Sequence, residues 1–165
     1  MSANPEDPHV GLVVEGAGDR SALPVILRAH LQAHGEYRDV LGKPVPLHGR
    51  AKAIVPNGIE GYTAVAGTRP GCVAVLIVLD GEGDCVSERG PQLLSRARSV
   101  GVPVRVALAD KAFEDWLYAS AETLGFDGLS YDPARSGGAA SKDAIRPSTY
   151  TKPVWQRRRV SSDAS

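Results

Sequence analysis

The chain has 165 residues, 42% of them hydrophobic and 5% aromatic, and its 19 Lys and Arg balance its 19 Asp and Glu. That composition suits a globular domain with a substantial core, and the zero net charge excludes the broad basic field that marks many nucleic-acid-binding chains. No apolar run is long enough for a membrane span and no secretory signal is evident, so the expected location is cytoplasmic.

The first eight residues are polar and carry Pro5 and Pro8, the character of a frayed terminus. Residues 10–14, VGLVV, read as a first strand that ends at Glu15-Gly16. Gly16 and Gly18 suit a tight turn. Asp19 or Ser21 then caps a helix whose first turn tolerates Pro24, because a missing amide hydrogen there has no intrahelical partner to lose. Leu23, Ile26, Leu27 and Leu31 give this helix an apolar face, and Gly35 ends it. Residues 43–55, KPVPLHGRAKAIV, are too rich in Pro and Gly for a helix and read as a short strand or edge segment exposing Lys43, Arg50 and Lys52. Asn57 is placed to cap a helix over 59–66, with Ile59, Tyr62, Thr63 and Ala66 on one side.

Residues 73–84, VAVLIVLDGEGD, hold the strongest signal. The apolar run 73–79 is short, β-branched and bounded by Pro70-Gly71 and Gly81, which fits a central parallel strand covered on both faces better than a buried helix. Residues 87–100 follow as a helix carrying Leu93, Leu94 and Ala97, with Pro91 in its first turns and Gly101 closing it. Residues 102–109 give a further strand with Pro103 at its start. Asp110 begins a helix over 112–121, in which Phe113, Trp116 and Leu117 face inward. Strands alternating with helices imply an α/β, Rossmann-like fold with a mainly parallel sheet and right-handed crossovers. From Gly125 onward no period is sustained, so the expected division is an α/β domain over 1–125 and a loop-rich extension over 126–165. Cys72 and Cys85 bracket the central strand, too far apart for a disulfide and with no zinc-site spacing. His9, His30, His34 and His48 read as surface residues.

In an open α/β sheet, ligands bind beyond the carboxyl ends of the strands, and Glu15, Asp80, Glu82 and Asp84 all fall there. Carboxylates converging in a site of low dielectric repel one another unless a countercharge joins them. Mg²⁺ or Mn²⁺ meets that need with oxygen ligands, and Glu15, Asp80 and Glu82 are the first candidates, with Asp84 close behind. The plainer alternative is a solvated acidic turn, with Glu15 as a helix N-terminal charge partner. Lys43, Lys52, Lys111, Lys142, Lys152 and Arg146 are candidates for neutralising phosphate, each weighed against ordinary solvated surface. Trp155 beside Arg157, Arg158 and Arg159 either stacks a base or anchors packing.

VVEGAGDRSALPVIL followed by VLIVLDGEGD resembles the Toprim fold, and VALADKAFEDWLYAS is similar to small Toprim-like proteins related to overcoming-lysogenisation-defect (OLD) nucleases. The likeness covers roughly residues 10–120. It implies Mg²⁺-dependent phosphodiester chemistry on DNA or RNA, frequently in bacterial phage defence beside an ATPase partner encoded as a separate chain. By matching positions Glu15 is the motif glutamate, Asp80 and Glu82 the D-x-D pair, and Glu114 the added acid of the nuclease branch. Lys111 joins Glu15 and Asp80 as a catalytic candidate. The chain departs from the pattern in carrying Glu82 for the second aspartate and in lacking an apolar helix after Lys152, which reads as a truncated or altered end.

In-line displacement at a phosphodiester needs neutralised phosphate charge, an activated nucleophile and a stabilised leaving oxygen. Two metals would stand about 3.5 to 4 Å apart, with Glu15 or Asp80 bridging and Glu114 holding the second. Glu114 has a structural alternative as an acid favoured by a helix dipole. Two other classes compete with the nuclease: a receiver- or phosphatase-like aspartyl phosphotransfer domain, for which only Lys111 is in place, and an inactive binding subunit. Assembly as a homo-oligomer is compatible with any of these.

Overall fold

The computed structural model describes residues 7–109 together with Trp116, Asp132, Ala134 and Ala139. The β-branched and aliphatic runs form strands β1 (His9–Val14), β2 (Val45–Pro46), β3 (Cys72–Asp80) and β4 (Val104–Ala109). Helices α1 (Ala17–Ala33), α2 (Ala51–Ile54), α3 (Gly58–Gly67) and α4 (Val86–Ala97) connect them, with a 3-10 turn over Arg98–Val100 before β4. The strands make one sheet in the order β2-β1-β3-β4, every neighbouring pair parallel. The fold is therefore α/β and Rossmann-like, with β3 central as its apolar run predicts.

Chain order and spatial order part company at β1. From there the chain goes outward to β2 through α1, then returns past β1 to β3 through α2 and α3. Neighbouring strands β1 and β3 thus have connections leaving in opposite directions, which opens a crevice at their carboxyl ends. The register sets Val14 beside Val78 and Asp80 beside Ala109, so the strands end nearly level.

Strand alternation divides the core. Val13, Val75, Ile77 and Leu79 point to one face, where they meet Ile59 and Ala66 of α3, Leu93 and Ala97 of α4, and Ala53 of α2. Leu12, Val14 and Val78 alternate to the other face, and α1 buries Ala22, Leu23 and Pro24. Each fully buried aliphatic side chain contributes about 1.5 to 3 kcal/mol through removal from water. Among the described residues no helix is long and apolar enough to cross a membrane.

Several local expectations are corrected. Helix α1 starts at Ala17, so Pro24 lies in its interior rather than in its first turn. The cap is Gly16, whose amide donates to Asp19 Oδ2 at 3.2 Å, and Asp19 is thus the reciprocal acid rather than the cap itself. Asn57 precedes α3 with φ of 56° and no side-chain cap bond, so it serves as a left-handed turn residue. Arg50 is not exposed: its side chain retains 15% of its accessibility. His9 is buried at 5%, its Nδ1 2.8 Å from the Asp7 carbonyl oxygen, and a Cβ on Gly42 would strike its ring. The bare backbone at Gly42 makes room for that imidazole. The two cysteines are free, Cys85 is exposed, and Trp116 is helical but 39% exposed rather than fully packed inward.

Candidate metal centre at the carboxyl edge of the sheet

The site is built by three strand ends. β1 delivers Glu15, β3 delivers Asp80, and the segment after β2 runs alongside, with the Leu47 amide donating to Val14 O at 2.8 Å and the Gly49 amide to Glu15 O at 3.2 Å. His48 at φ 59° and Gly49 at φ 120° turn that segment sharply, so that Arg50, at the start of α2, comes over the same edge.

The DGEGD stretch is a tight turn. The Asp84 amide donates to Gly81 O at 2.9 Å, and the central residues Glu82 and Gly83 have φ of 48° and 90°, the signature of a type I′ turn. Gly83 adopts that backbone at no steric cost; Glu82, with a Cβ, does not. The turn is pinned at its base by the Gly81 amide, which donates to Ala109 O at 2.7 Å.

Glu15 and Asp80 meet across the crevice. The Asp80 amide donates to Glu15 Oε2 at 3.0 Å, so the end of β3 fixes the carboxylate of β1. The Glu15 carboxyl is raised above its usual range, chiefly by burial, and neighbouring Glu82 and Asp19 push the same way. The Asp80 amide and the Arg50 guanidinium oppose that shift without cancelling it. Burial, more than the neighbouring charges, therefore holds the Glu15 carboxyl up.

Glu82 and Asp84 already have cationic partners. Arg50 Nη1 donates to Glu82 Oε2 at 3.3 Å and Arg50 Nη2 donates to Asp84 Oδ2. Arg89 Nε donates to that same Asp84 oxygen at 2.9 Å while its Nη1 donates to Gln92 Oε1 at 3.1 Å. The sequence reading missed Arg50 as a site residue because it took 43–55 as an undivided edge segment. No sequence signal marks it: β2 is two residues long, and only its pairing with β1 puts the following turn and Arg50 at the same edge as Glu15.

Glu15, Asp80, Glu82 and Asp84 are thus brought to one edge, as expected. Lys52 is exposed in α2 beside that edge, whereas Lys43 precedes β2 and so stands at the amino end of the strands, away from the site. Lys111, Glu114, Lys142 and Lys152 lie outside the described residues, as does the extension over 126–165 apart from Asp132, Ala134 and Ala139. A set of carboxylate oxygens fits a hard divalent cation such as Mg²⁺ or Mn²⁺ in kind, and the Arg50 guanidinium stands in for positive charge there. Among the described residues no group of three or more His, Cys, Asp or Glu side chains is drawn together as a formed metal centre. No family model matches the chain, and no curated protein or solved structure is significantly similar to it.

Proposed function

We propose that the chain is a Toprim-like, Mg²⁺- or Mn²⁺-dependent nuclease that cleaves phosphodiesters in DNA or RNA, working in phage defence beside an ATPase partner. One observation carries the reading: at the carboxyl ends of β1 and β3 the Glu15 carboxylate accepts a 3.0 Å bond from the Asp80 amide, which brings the two acid-bearing strand ends together. That crevice, where chain order reverses, is where open α/β sheets take phosphate-bearing ligands. A bound divalent cation supplies neutralisation of phosphate charge and activation of the attacking water. Glu15, raised in pKa by burial, suits a group that accepts a proton from that water. Asp80 is the principal metal ligand, with Glu82 and Asp84 extending the oxygen donors along the turn, and Lys52 lies where it can meet substrate phosphate.

The test is cleavage of plasmid, single-stranded DNA and RNA by the purified chain, alone and with a candidate ATPase, in Mn²⁺ and in EDTA. Turnover that vanishes with chelation and with Asp80→Ala, while the circular dichroism spectrum holds, is the expected result. Turnover that persists in EDTA rejects the metal mechanism. The internal pairing of Glu82 and Asp84 with arginines favours one second reading, a binding subunit whose acidic edge is neutralised from within. Nucleic-acid or ATPase binding without cleavage under any of these conditions selects it.

A further inference from the structure

We infer that the outer edge of β4 is a pairing surface for a second copy of this chain: the two β4 strands lie antiparallel about a twofold axis at Val106, and two sheets become one. The inference is independent of the metal-dependent reading above.

The bonds between β3 and β4 show which groups of β4 face outward. The Val75 amide donates to Pro103 O at 2.9 Å and the Gly81 amide to Ala109 O at 2.7 Å, so every second position from Pro103 to Ala109 serves β3. The residues between them, Val104, Val106 and Leu108, turn both amide and carbonyl away from the sheet. No proline interrupts them, and among the described residues no backbone group pairs with them. The Val104 carbonyl oxygen accepts a bond at 3.1 Å from Nη1 of neighbouring Arg105, whose exposed guanidinium can turn to water instead.

The core is half-covered at the same edge. Leu94 of α4, with Val102, Val106 and Leu108, packs against the buried cluster yet stays partly exposed, whereas Leu41, Val45 and Leu47 near the β2 edge retain at most 7% of their accessibility. An added strand extends that layer, and its source is argued from self-complementarity. About a twofold at Val106, residue 104 meets 108 and 106 meets 106, each pair exchanging two N–H···O=C bonds. Arg105 then falls opposite Ala107 of the second copy, so the one charged side chain of β4 meets a small one rather than itself. With 19 Lys and Arg against 19 Asp and Glu, no net charge drives two copies apart. β2 is two residues long and ends in Pro46, so it presents no comparable run, and association through backbone closes at two copies. The two acidic crevices then open at opposite ends of the shared sheet.

The experiment is sedimentation equilibrium of the full chain over a wide concentration range, joined to amide hydrogen exchange at the lowest and highest concentrations. A monomer–dimer equilibrium is expected, with the Val104, Val106 and Leu108 amides exchanging at least about tenfold more slowly in the dimer. The Arg105 and Ala107 amides, already bonded to β3, should change little. Val106→Pro removes an outward donor and no bond to β3, so it should weaken the dimer about tenfold or more while the circular dichroism spectrum holds. A monomer at every concentration, assemblies that grow past two copies, or a dimer whose outward β4 amides exchange as in the monomer overturns the inference. So does a Val106→Pro variant that pairs as tightly as wild type. Slow exchange of the same amides in the monomer overturns it as well, since the edge is then already occupied. Should Val106→Pro unfold, the exchange of wild type decides alone.

Discussion

Arg50 and Arg96 both pair with carboxylates in the described structure, yet their surroundings give them opposite characters. Arg96, in the last turn of α4, donates to Glu60 Oε1 and Oε2 at 2.6 and 2.8 Å and also to the Ile54 and Val55 carbonyl oxygens at 3.0 and 2.8 Å. It closes the end of α2, the start of α3 and the end of α4 into one junction, and satisfies carbonyls that α2 leaves open. Arg50 ties only surplus acids at a sheet edge. A guanidinium bonded to backbone carbonyls ties elements of the fold together; one bonded only to carboxylates at a sheet edge balances their charge.

The comparison breaks first at activity. If the proposed nuclease reading holds, Asp80→Ala should lower metal-dependent cleavage by more than about 100-fold, since losing a ligand costs more than losing its outer support. Arg96→Ala should leave the turnover of the folded fraction unchanged, and steady-state assays on the two variants decide this. At the junction, Gly58→Ala should destabilise by about 3 kcal/mol in urea denaturation, because an added Cβ falls on the Lys52 carbonyl oxygen and forces α2 and α3 apart. Arg96→Ala should cost about 2 kcal/mol, with Glu60 and two carbonyls left unpaired in a half-exposed setting. Arg50→Gln should cost less than about 1 kcal/mol in the same measurement, its acceptors being hydrated. A larger loss for Arg50 than for Arg96 would reverse the distinction drawn here.

The smallest effects sharpen the contrast through pH. The Glu15 carboxyl titrates above its usual 4.5, so the folded state holds a proton through a window where the unfolded chain has released it, and stability falls as pH rises across that window. Glu15→Gln should therefore raise the metal-free melting temperature at pH 7 and lose that advantage below about pH 4.5. The Glu60 carboxyl is lowered, chiefly by its bond from Arg96, so its contribution is present above its usual 4.5 and is lost as pH falls through the depressed value. Glu60→Gln should destabilise at pH 7 and approach wild type in acid. Melting curves of the three proteins from pH 3 to 7 should show the two opposite signs.

The sheet was legible in the sequence wherever burial wrote long apolar runs. The stretch 73–79 announces a central strand because both faces are covered towards its carboxyl end, from Val75 to Leu79, although Val73 is 52% exposed and Leu76 half-buried; Gly35 and Gly101, at φ of 85° and 80°, announce helix ends because the backbone turns left-handed there. The edge acids were legible for the same reason, lying directly after such runs. What escaped is set by tertiary contact. A two-residue strand has no period to read, and Val45 and Pro46 become a strand only because β1 is beside them. His9 is buried because a distant glycine leaves space, and Arg50 joins the site because the turn after β2 carries it across. Side-chain caps at Asp19 or Ser21 predict a start that puts Pro24 in the first turn, whereas Gly16 caps the helix and leaves Pro24 in its interior.

Strand β2 bears on how one edge of this sheet can meet another chain. In a parallel strand the amide and carbonyl of one residue point to the same side, and the sides alternate along the chain. Val45 pairs with Val13 and the Leu47 amide bonds Val14 O, so the odd positions face β1 and Pro44 and Pro46 face outward. Both outward positions lack the hydrogen that a newcomer strand would need. Sheet extension is disfavoured at that edge, because its outward positions offer no amide hydrogen to an added strand.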